Sequence, residues 1–344
     1  MKKYFLAWLA LNGRLYRYMR KRLRRRAAGS VGAPASSRTA AQPLSGSPQG
    51  PMAGGAKPVP TKKKEEPRGI DYLGAFGLPS VDDIPVAEIV HGVSSDCKNY
   101  CTIWAGRVQT SFKEYFSFEP VAKGWSLRHT PMLIDLEDYA DYEAFENYIK
   151  KFSDGERIRM AKRAQAKGYV VKTFNWNLFI PDIHAINTSE KTRSGGDMRG
   201  GYLRTVEEMG GPPKTYLLPP AAPCRDYWQH CFGVFAPTPG YKQGEIITDE
   251  RLLAYFAPRR FGNVVVYSML LGHGDHLAEG IMDFGHQHIT RWIFERKSPD
   301  LQGLRYVMYG GMENGGEGLF QWKRRSGFKP YRVYSRQTEC MVKA

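Results

Sequence analysis

Apolar positions from about residue 169 onward fall into short runs separated by turns, at the spacing of a mixed sheet-and-helix domain. Tyr169–Phe174 reads as a strand and Asp182–Thr192 as a short helix. The Gly-rich piece Ser194–Gly201 leads into a second short helix over Tyr202–Met209, and a Pro-rich loop runs from Gly210 to Pro223. Cys231–Ala236, Leu252–Phe256 and Val264–Leu271 then read as strands in series, with turns at Gly240 and at Arg259-Arg260-Phe261-Gly262. Leu277–Arg296 carries Leu277, Ile281, Phe284, His288, Trp292 and Ile293 at helical spacing. Leu304–Tyr309 is another strand. Gly315-Gly316-Glu317-Gly318 opens a helix with Leu319, Phe320 and Trp322, stopped by Gly327, and Tyr331–Tyr334 closes the series.

Order is expected to begin near Ile70. Val86–Val90, Tyr100–Val108, Phe112–Phe118 and Met132–Leu136 read as short strands punctuated by Gly and Pro. Asp138–Phe152 reads as a helix, with Tyr142, Phe145, Tyr148, Ile149 and Phe152 on one face. A second helix follows from Asp154 as N-cap and ends before Gly168. Its Arg157, Arg159, Lys162, Arg163 and Lys167 read as a solvated face. The acids Asp135, Glu137, Asp138, Asp141, Glu143 and Glu146 read as a helix start favoured by the helix dipole.

Charge changes the picture at the other end. The chain has 344 residues and a net charge of +16. Residues 1–26 hold ten Lys and Arg and no acid, and residues 27–68 hold six against Glu65 and Glu66, so the rest keeps only +2 of that charge. The near-neutral body argues against a specific nucleic-acid partner. Phe5–Leu11 is too short to span a bilayer. With Leu15, Tyr16, Tyr18, Met19 and Leu23 among Arg and Lys, residues 1–26 fit a basic helix for an anionic membrane surface or an acidic partner, or a basic arm without one. Residues 27–68 are rich in Ala, Gly, Pro and Ser, which is the composition of a disordered linker. Five cysteines at low density and without a CxxC suggest a reducing compartment, so the expected location is cytoplasmic with peripheral membrane contact. Cys97-x3-Cys101 tolerates zinc, Cys224-x6-Cys231 beside His230 is not a typical spacing, and no metal is expected.

Strand, two helices, three strands, long helix, strand, helix, strand resembles the element order of the GNAT acyltransferase superfamily. Gly318-Leu319-Phe320-Gln321-Trp322-Lys323-Arg324-Arg325-Ser326-Gly327-Phe328 is similar to its closing helix-then-Gly-Phe signature, and Val264–Met282 to its donor-binding strand, loop and helix. The resemblance implies an α+β fold: a GNAT-type mixed, mostly antiparallel twisted sheet flanked by helices. Around it stand a β-rich extension (69–153), the linker (27–68) and the basic segment (1–26), with the acyltransferase domain at 154–344. It implies acyl-coenzyme A as donor, its pyrophosphate on the loop Gly272-His273-Gly274-Asp275-His276. A Gly-rich strand-to-helix turn offers free N–H groups there.

Leu271, Gly272, Gly274 and Gly280 are the expected donor contacts. His273, Asp275 and His276 are candidate catalytic groups, a His taking the proton of an attacking amine and an Asp orienting it. His184, Asn187 and Arg193 fall on the wall that faces the acceptor, a small-molecule or peptide amine (or hydroxyl). Glu313 and Asn314 face the donor side. Two positions depart from the family pattern. Of the usual Gln/Arg-x-x-Gly-x-Gly/Ala motif only Gly280 matches, with Leu277 and Met282 elsewhere, and Lys323 stands where a Tyr general acid is common. Two other readings stay open: a Fem-like transferase that uses aminoacyl-tRNA or assists envelope polysaccharide assembly, and an inactive GNAT-fold binding module.

Overall fold

The computed structural model describes residues 70–94, 127, 130–193, 196–222 and 224–341. The basic segment, the linker, Cys97, Cys101 and the strands expected at Tyr100–Val108 and Phe112–Phe118 lie outside them.

In chain order, β1 is Val86–Ser94 and β2 Pro131–Asp135. Helix α1 (Tyr142–Phe152) starts where the Asp141 carboxylate accepts from the Ala144 N–H at 2.8 Å, a side-chain N-cap. Helix α2 (Glu156–Ala166) follows a tight turn, and its cap is Gly155 in the left-handed region, not Asp154. Then come β3 (Val170–Thr173), α3 (Ile180–Thr188) and a small hairpin of β4 (Thr192–Arg193) and β5 (Gly196–Asp197). The helix expected over Tyr202–Met209 is a series of turns. Gly200, Gly201 and Gly210 flank that stretch, and too few residues lie between them to nucleate a helix. Next are β6 (Tyr227–Gln229), β7 (Phe232–Pro237) and a second hairpin, β8 (Lys242–Gln243) with β9 (Ile246–Ile247).

Strand β10 runs from Glu250 to Phe261. Arg259–Phe261, expected as a turn, are strand residues, because they pair with both β6 and β11. After β11 (Val264–Gly272) comes a 3-10 turn, Gly274–Glu279, and α4 begins only at Ile281. Gly280 breaks the expected continuous helix by adopting φ +84°, a left-handed value glycine takes without strain. The chain closes with β12 (Tyr306–Gly311), α5 (Gly316–Arg325), β13 (Lys329–Pro330) and β14 (Arg332–Met341).

The main sheet has the order β13-β2-β12-β11-β10-β7-β3, with β6 also on β10. Every neighbouring pair is antiparallel except β11 with β12. β2, from the segment 69–153, therefore lies inside this sheet, while β14 leaves it and pairs parallel with β1. One face of the sheet is covered by α1, α4 and α5, where Phe145, Ile289 and Phe320 meet Ile134, Val265 and Val307. The other is covered by α3, where Ile183 and Ile186 meet Phe235, Leu252 and Tyr255. Burial of each such side chain is worth about 1.5–3 kcal/mol, so both faces of β10 are held, and its end at the next strand is a fixed platform.

Candidate active site

β11 and β12 run parallel, yet they are partners only where Val264–Val266 meet Tyr306–Met308. Beyond that, β11 stays with β10 as far as Gly272, and β12 turns to β2, where Gly311 faces Pro131. The two strands splay apart. Tyr267–Leu271 keep one ladder and, among the described residues, have no strand on the β12 side. Unpaired strand backbone of this kind can take an extended ligand amide or carbonyl as an added partner.

The base of the splay is packed with rings. Tyr267 (β11) hydroxyl lies 3.2 Å from His286 Nδ1 (α4), and His286 Nε2 lies 3.0 Å from the Ser326 carbonyl that ends α5. Trp322 and Phe328 stand 5.4 and 5.5 Å from the His286 ring, and Tyr309 stands 5.8 Å from Trp322. Burial pushes His286 down to about 4, so it is neutral at pH 7. With the Ser326 carbonyl as acceptor, Nε2 carries the proton and Nδ1 accepts from Tyr267. Asp283, one turn earlier on α4, takes hydrogen bonds from Trp322 Nε1 (3.1 Å) and Arg157 (3.2 Å). Burial raises it to about 6 against the pull of Arg157.

Above the rings sits Lys323. It is 1% exposed. Its Nζ donates to the Gly311 carbonyl at 2.8 Å and the Asn314 carbonyl at 3.1 Å, and lies 5.1 Å from the Tyr309 ring. Among the described residues it has no carboxylate partner, and burial lowers it to about 8. A buried ammonium normally pairs with an acid. This one has three N–H donors and two carbonyls. The sequence marks Lys323 only as a departure from the family pattern. A sharper signal was available: it follows the core residue Phe320 by three, which puts it on the buried face of α5.

The donor loop expected from the sequence is occupied by the protein itself. A side chain at Gly272 would meet Met282 Sδ at 2.8 Å and Leu277 Cδ2 at 2.9 Å. One at Gly274 would land on the Glu190 carboxylate, and one at Gly280 on the Met160 backbone of α2. The Gly274 N–H already donates to Ser189 Oγ (2.9 Å), and the His273 N–H to the Leu253 carbonyl (2.8 Å). Glu190 and the 83%-exposed Asp275 add negative charge. Arg193 and Arg251 stand at the same loop, so its charge is mixed, while two of the N–H groups a pyrophosphate would use are engaged by the protein.

His273 and Asp275 approach to 3.8 Å, beyond a hydrogen bond, and the His273 and His276 rings are 5.5 Å apart. Burial lowers His273, with Arg251 acting the same way. Asp275 does not cap the 3-10 turn. His276 Nδ1 meets Glu279 at 2.8 Å, and Glu279 also binds Tyr169 (2.6 Å) and Lys167. Burial acts to raise Glu279, but the bonds from Lys167, Tyr169 and His276 outweigh it and hold it at about 2. That network clamps the turn to the start of β3. Leu271, the last expected donor contact, faces the second core cluster beside Tyr255.

On the acceptor side, His184 Nδ1 meets the Arg204 carbonyl (2.9 Å) and Asn187 accepts from the Tyr255 hydroxyl (2.7 Å). Arg193 donates to the carbonyls of Gly272 (2.8 Å) and Ile186 (3.0 Å) and to Ser189 Oγ (2.7 Å). Thus Arg193 is brought to the donor loop, while His184 and Asn187 serve the packing of α3. The Cys231 thiol, pushed up to about 12 by burial, is no nucleophile at neutral pH. Among the described residues no group of His, Cys, Asp or Glu has metal-ligand geometry, and no helix is long and apolar enough to cross a membrane.

No protein-family model matches the chain, and no curated protein matches it. Several solved structures align with part of the chain. The crystal structure of FemX aligns over 70% of this chain and 68% of its own, at 9% identity and TM-score 0.39. The C-terminal domain (DUF2156) of a putative lysylphosphatidylglycerol synthetase from Agrobacterium fabrum covers 60% of this chain and 59% of its own, at 14% identity and TM-score 0.30. A tandem GNAT protein from the clavulanic acid biosynthesis pathway covers 59% and 50%, at 17% identity and TM-score 0.28. The body itself is an α+β arrangement: a mixed, mostly antiparallel sheet with one splayed parallel pair and helices on both faces, as the resemblance implied.

Proposed function

We propose that this chain is a GNAT-type transferase of acyl or aminoacyl groups, with the reacting carbonyl seated in the splay beside Lys323. The observation that carries this reading is a buried ammonium whose hydrogen-bond partners among the described residues are backbone carbonyls, with no carboxylate beside it. Acyl transfer needs such a group. The acceptor amine forms a bond to the carbonyl carbon, the C=O electron pair moves to oxygen, and the oxyanion needs a donor already in place. As that pair returns, the bond from the carbonyl carbon to the leaving oxygen breaks, and the proton given up by the attacking amine passes to that oxygen, which departs as an alcohol. The donor's carbonyl or amide pairs with the open side of Tyr267–Leu271. Because Ser189 and Leu253 already take two N–H groups of the Gly272–Gly280 loop, the favoured donor is an acyl or aminoacyl ester, as in the Fem-like reading, over acyl-coenzyme A.

The test is transfer of labelled acyl groups from an aminoacyl-tRNA mixture and from acyl-coenzyme A to amine acceptors, with wild type and Lys323→Met. The ester donor is expected to react, and K323M to lose about 100-fold or more in rate, the usual effect of removing an oxyanion donor. Equal rates in the two proteins sink the role of Lys323. Because Lys323 titrates near 8, the rate should fall as pH rises through 8, where the cation is lost. Lys323→Arg should abolish that limb, since guanidinium stays charged. The filled loop favours one second reading, a binding module without turnover, which no activity with any donor would support.

A further inference from the structure

Away from the splay, on the outer side of α1, α2 and α4, two recesses share Ile158 and Lys162. The first is a cavity of about 250 Å3 lined by the apolar Tyr142, Ile158, Ala161 and Phe284 and by the polar Glu146, Gln287, His288 and Arg291. That is the room of roughly eight water molecules, enough for one planar heterocycle. The Arg291 guanidinium lies 4.6 Å from the centre of the Tyr142 ring and is paired with Glu146 at 3.6 Å, so it offers a flat face that is charge-balanced on one side. The second is an open trough of about 630 Å3 between the end of α1 and the start of α2, lined by Lys150, Lys151, Arg159 and Lys162 against the single acid Asp154.

The charge there is concentrated. Residues 147–167 hold seven cations and two acids, in a body whose net charge is only +2. Lys150, Lys151 and Lys162 have no carboxylate in ion-pair range among the described residues, and Arg159 is held by the Asp154 backbone carbonyl at 2.8 Å. Unneutralised cations kept side by side cost stability through mutual repulsion, and a bound polyanion relieves that cost. Ile158 and Lys162 lie four residues apart on α2, one helical turn. An apolar slot and a cationic trough thus adjoin across one helical turn, so one ligand with a flat apolar ring and attached phosphates can reach both. A bilayer surface is too flat to enter either recess. The basic segment 1–26 has the wrong charge.

We propose that this groove binds a nucleoside polyphosphate, with the base in the α1–α2–α4 cavity against Tyr142, Phe284 and Arg291 and the phosphates along Lys150, Lys151, Arg159 and Lys162. The site is independent of acyl transfer and stands whether or not the splay is catalytic.

Calorimetric titration of the full chain with ATP, tripolyphosphate and a short single-stranded RNA tests it. ATP is expected to bind at least tenfold more tightly than tripolyphosphate, and Lys162→Glu, a surface change, to weaken ATP at least tenfold. Gln165→Trp, which overhangs the cavity from an exposed rim position, should bring ATP and tripolyphosphate to within twofold of each other. ATP binding unchanged in Lys162→Glu assigns it to the basic segment and overturns the proposal. So does equal binding of ATP and tripolyphosphate by wild type, which leaves the cavity no part. RNA binding that ATP does not displace shows a polymer site in its place and overturns it as well.

Discussion

The turn after β11 and the splay beside it are neighbours, but they are built on opposite terms. The turn carries the glycines and histidines that draw the eye in the sequence, and it is filled by Glu190, Met160, Met282 and Leu277. The splay carries one inconspicuous lysine, buried with its charge and given only carbonyls as company. A glycine therefore reports that something approaches the backbone closely, without reporting whether that is a ligand or the protein's own chain. A buried charge with no counter-charge is a stronger mark of function, because burial without pairing costs several kcal/mol.

The largest test of this contrast is at Gly280. Its left-handed φ and the Met160 backbone against it make Gly280→Ala expensive, about 4 kcal/mol or more of stability. Gly318→Ala, inside α5 with open space around it, should be neutral or stabilising by up to about 1 kcal/mol. Denaturant midpoints of the two variants decide this, and similar values would mean the turn is not packed as described. Next in size is the splay. Lys323→Met should retain or gain thermal stability while losing the rate stated above, since it removes an unpaired buried charge. A variant that loses both would make Lys323 a structural residue.

A pH comparison probes the floor of the splay. His286 has an unfolded value of 6.5 against about 4 in the fold. Between those values the unfolded chain binds more protons, so its contribution is intact above 6.5 and lost as pH falls to 4, by about 3 kcal/mol. Asp283, raised from 3.8 to about 6, tilts the opposite way and loses stability as pH rises through that window. Against His286→Gln, the wild type should therefore lose about 3 kcal/mol more between pH 6.5 and 4, measured by urea unfolding at each pH. Parallel curves would show His286 to be solvated. The smallest effect is expected at Asp275→Asn. The side chain is exposed and 3.8 Å from His273, so stability should change by less than about 0.5 kcal/mol. A larger drop in rate than twofold would return Asp275 to the list of catalytic candidates.

β3, α3, β7, β10, β11, α4, β12 and α5 were legible because each has its own period or Gly punctuation, whereas the helix expected at Tyr202–Met209 is a series of turns and the expected closing strand Tyr331–Tyr334 falls largely in β14, which pairs with β1 outside the main sheet. Helix α5 is the clearest case, opened at Gly316 and stopped before Gly327. The extent of β10 was not, because Arg259 and Arg260 look like a turn until their partners Gln229 and Trp228 are known. The loop after β11 was legible as a position and illegible as chemistry. Glu190 and Met160 reach it from about 80 and 120 residues away, and no local pattern encodes those contacts. Arg193 was placed on the acceptor wall by analogy, and its bond to Gly272 ties that wall to the donor loop.

One consequence of the strand order concerns synthesis. β2 lies between β12 and β13, and β1 pairs with β14, the last described strand. Val86 therefore waits for Arg332, and Leu133 for Met308. An emerging chain holds two early strands with unsatisfied edges until nearly the whole body has left the ribosome. Such long-range pairing is slow to form and aggregation-prone while it waits. Expression at lower temperature or with chaperones should raise the soluble yield, and removal of residues 329–344 should leave both early strands exposed and the product insoluble.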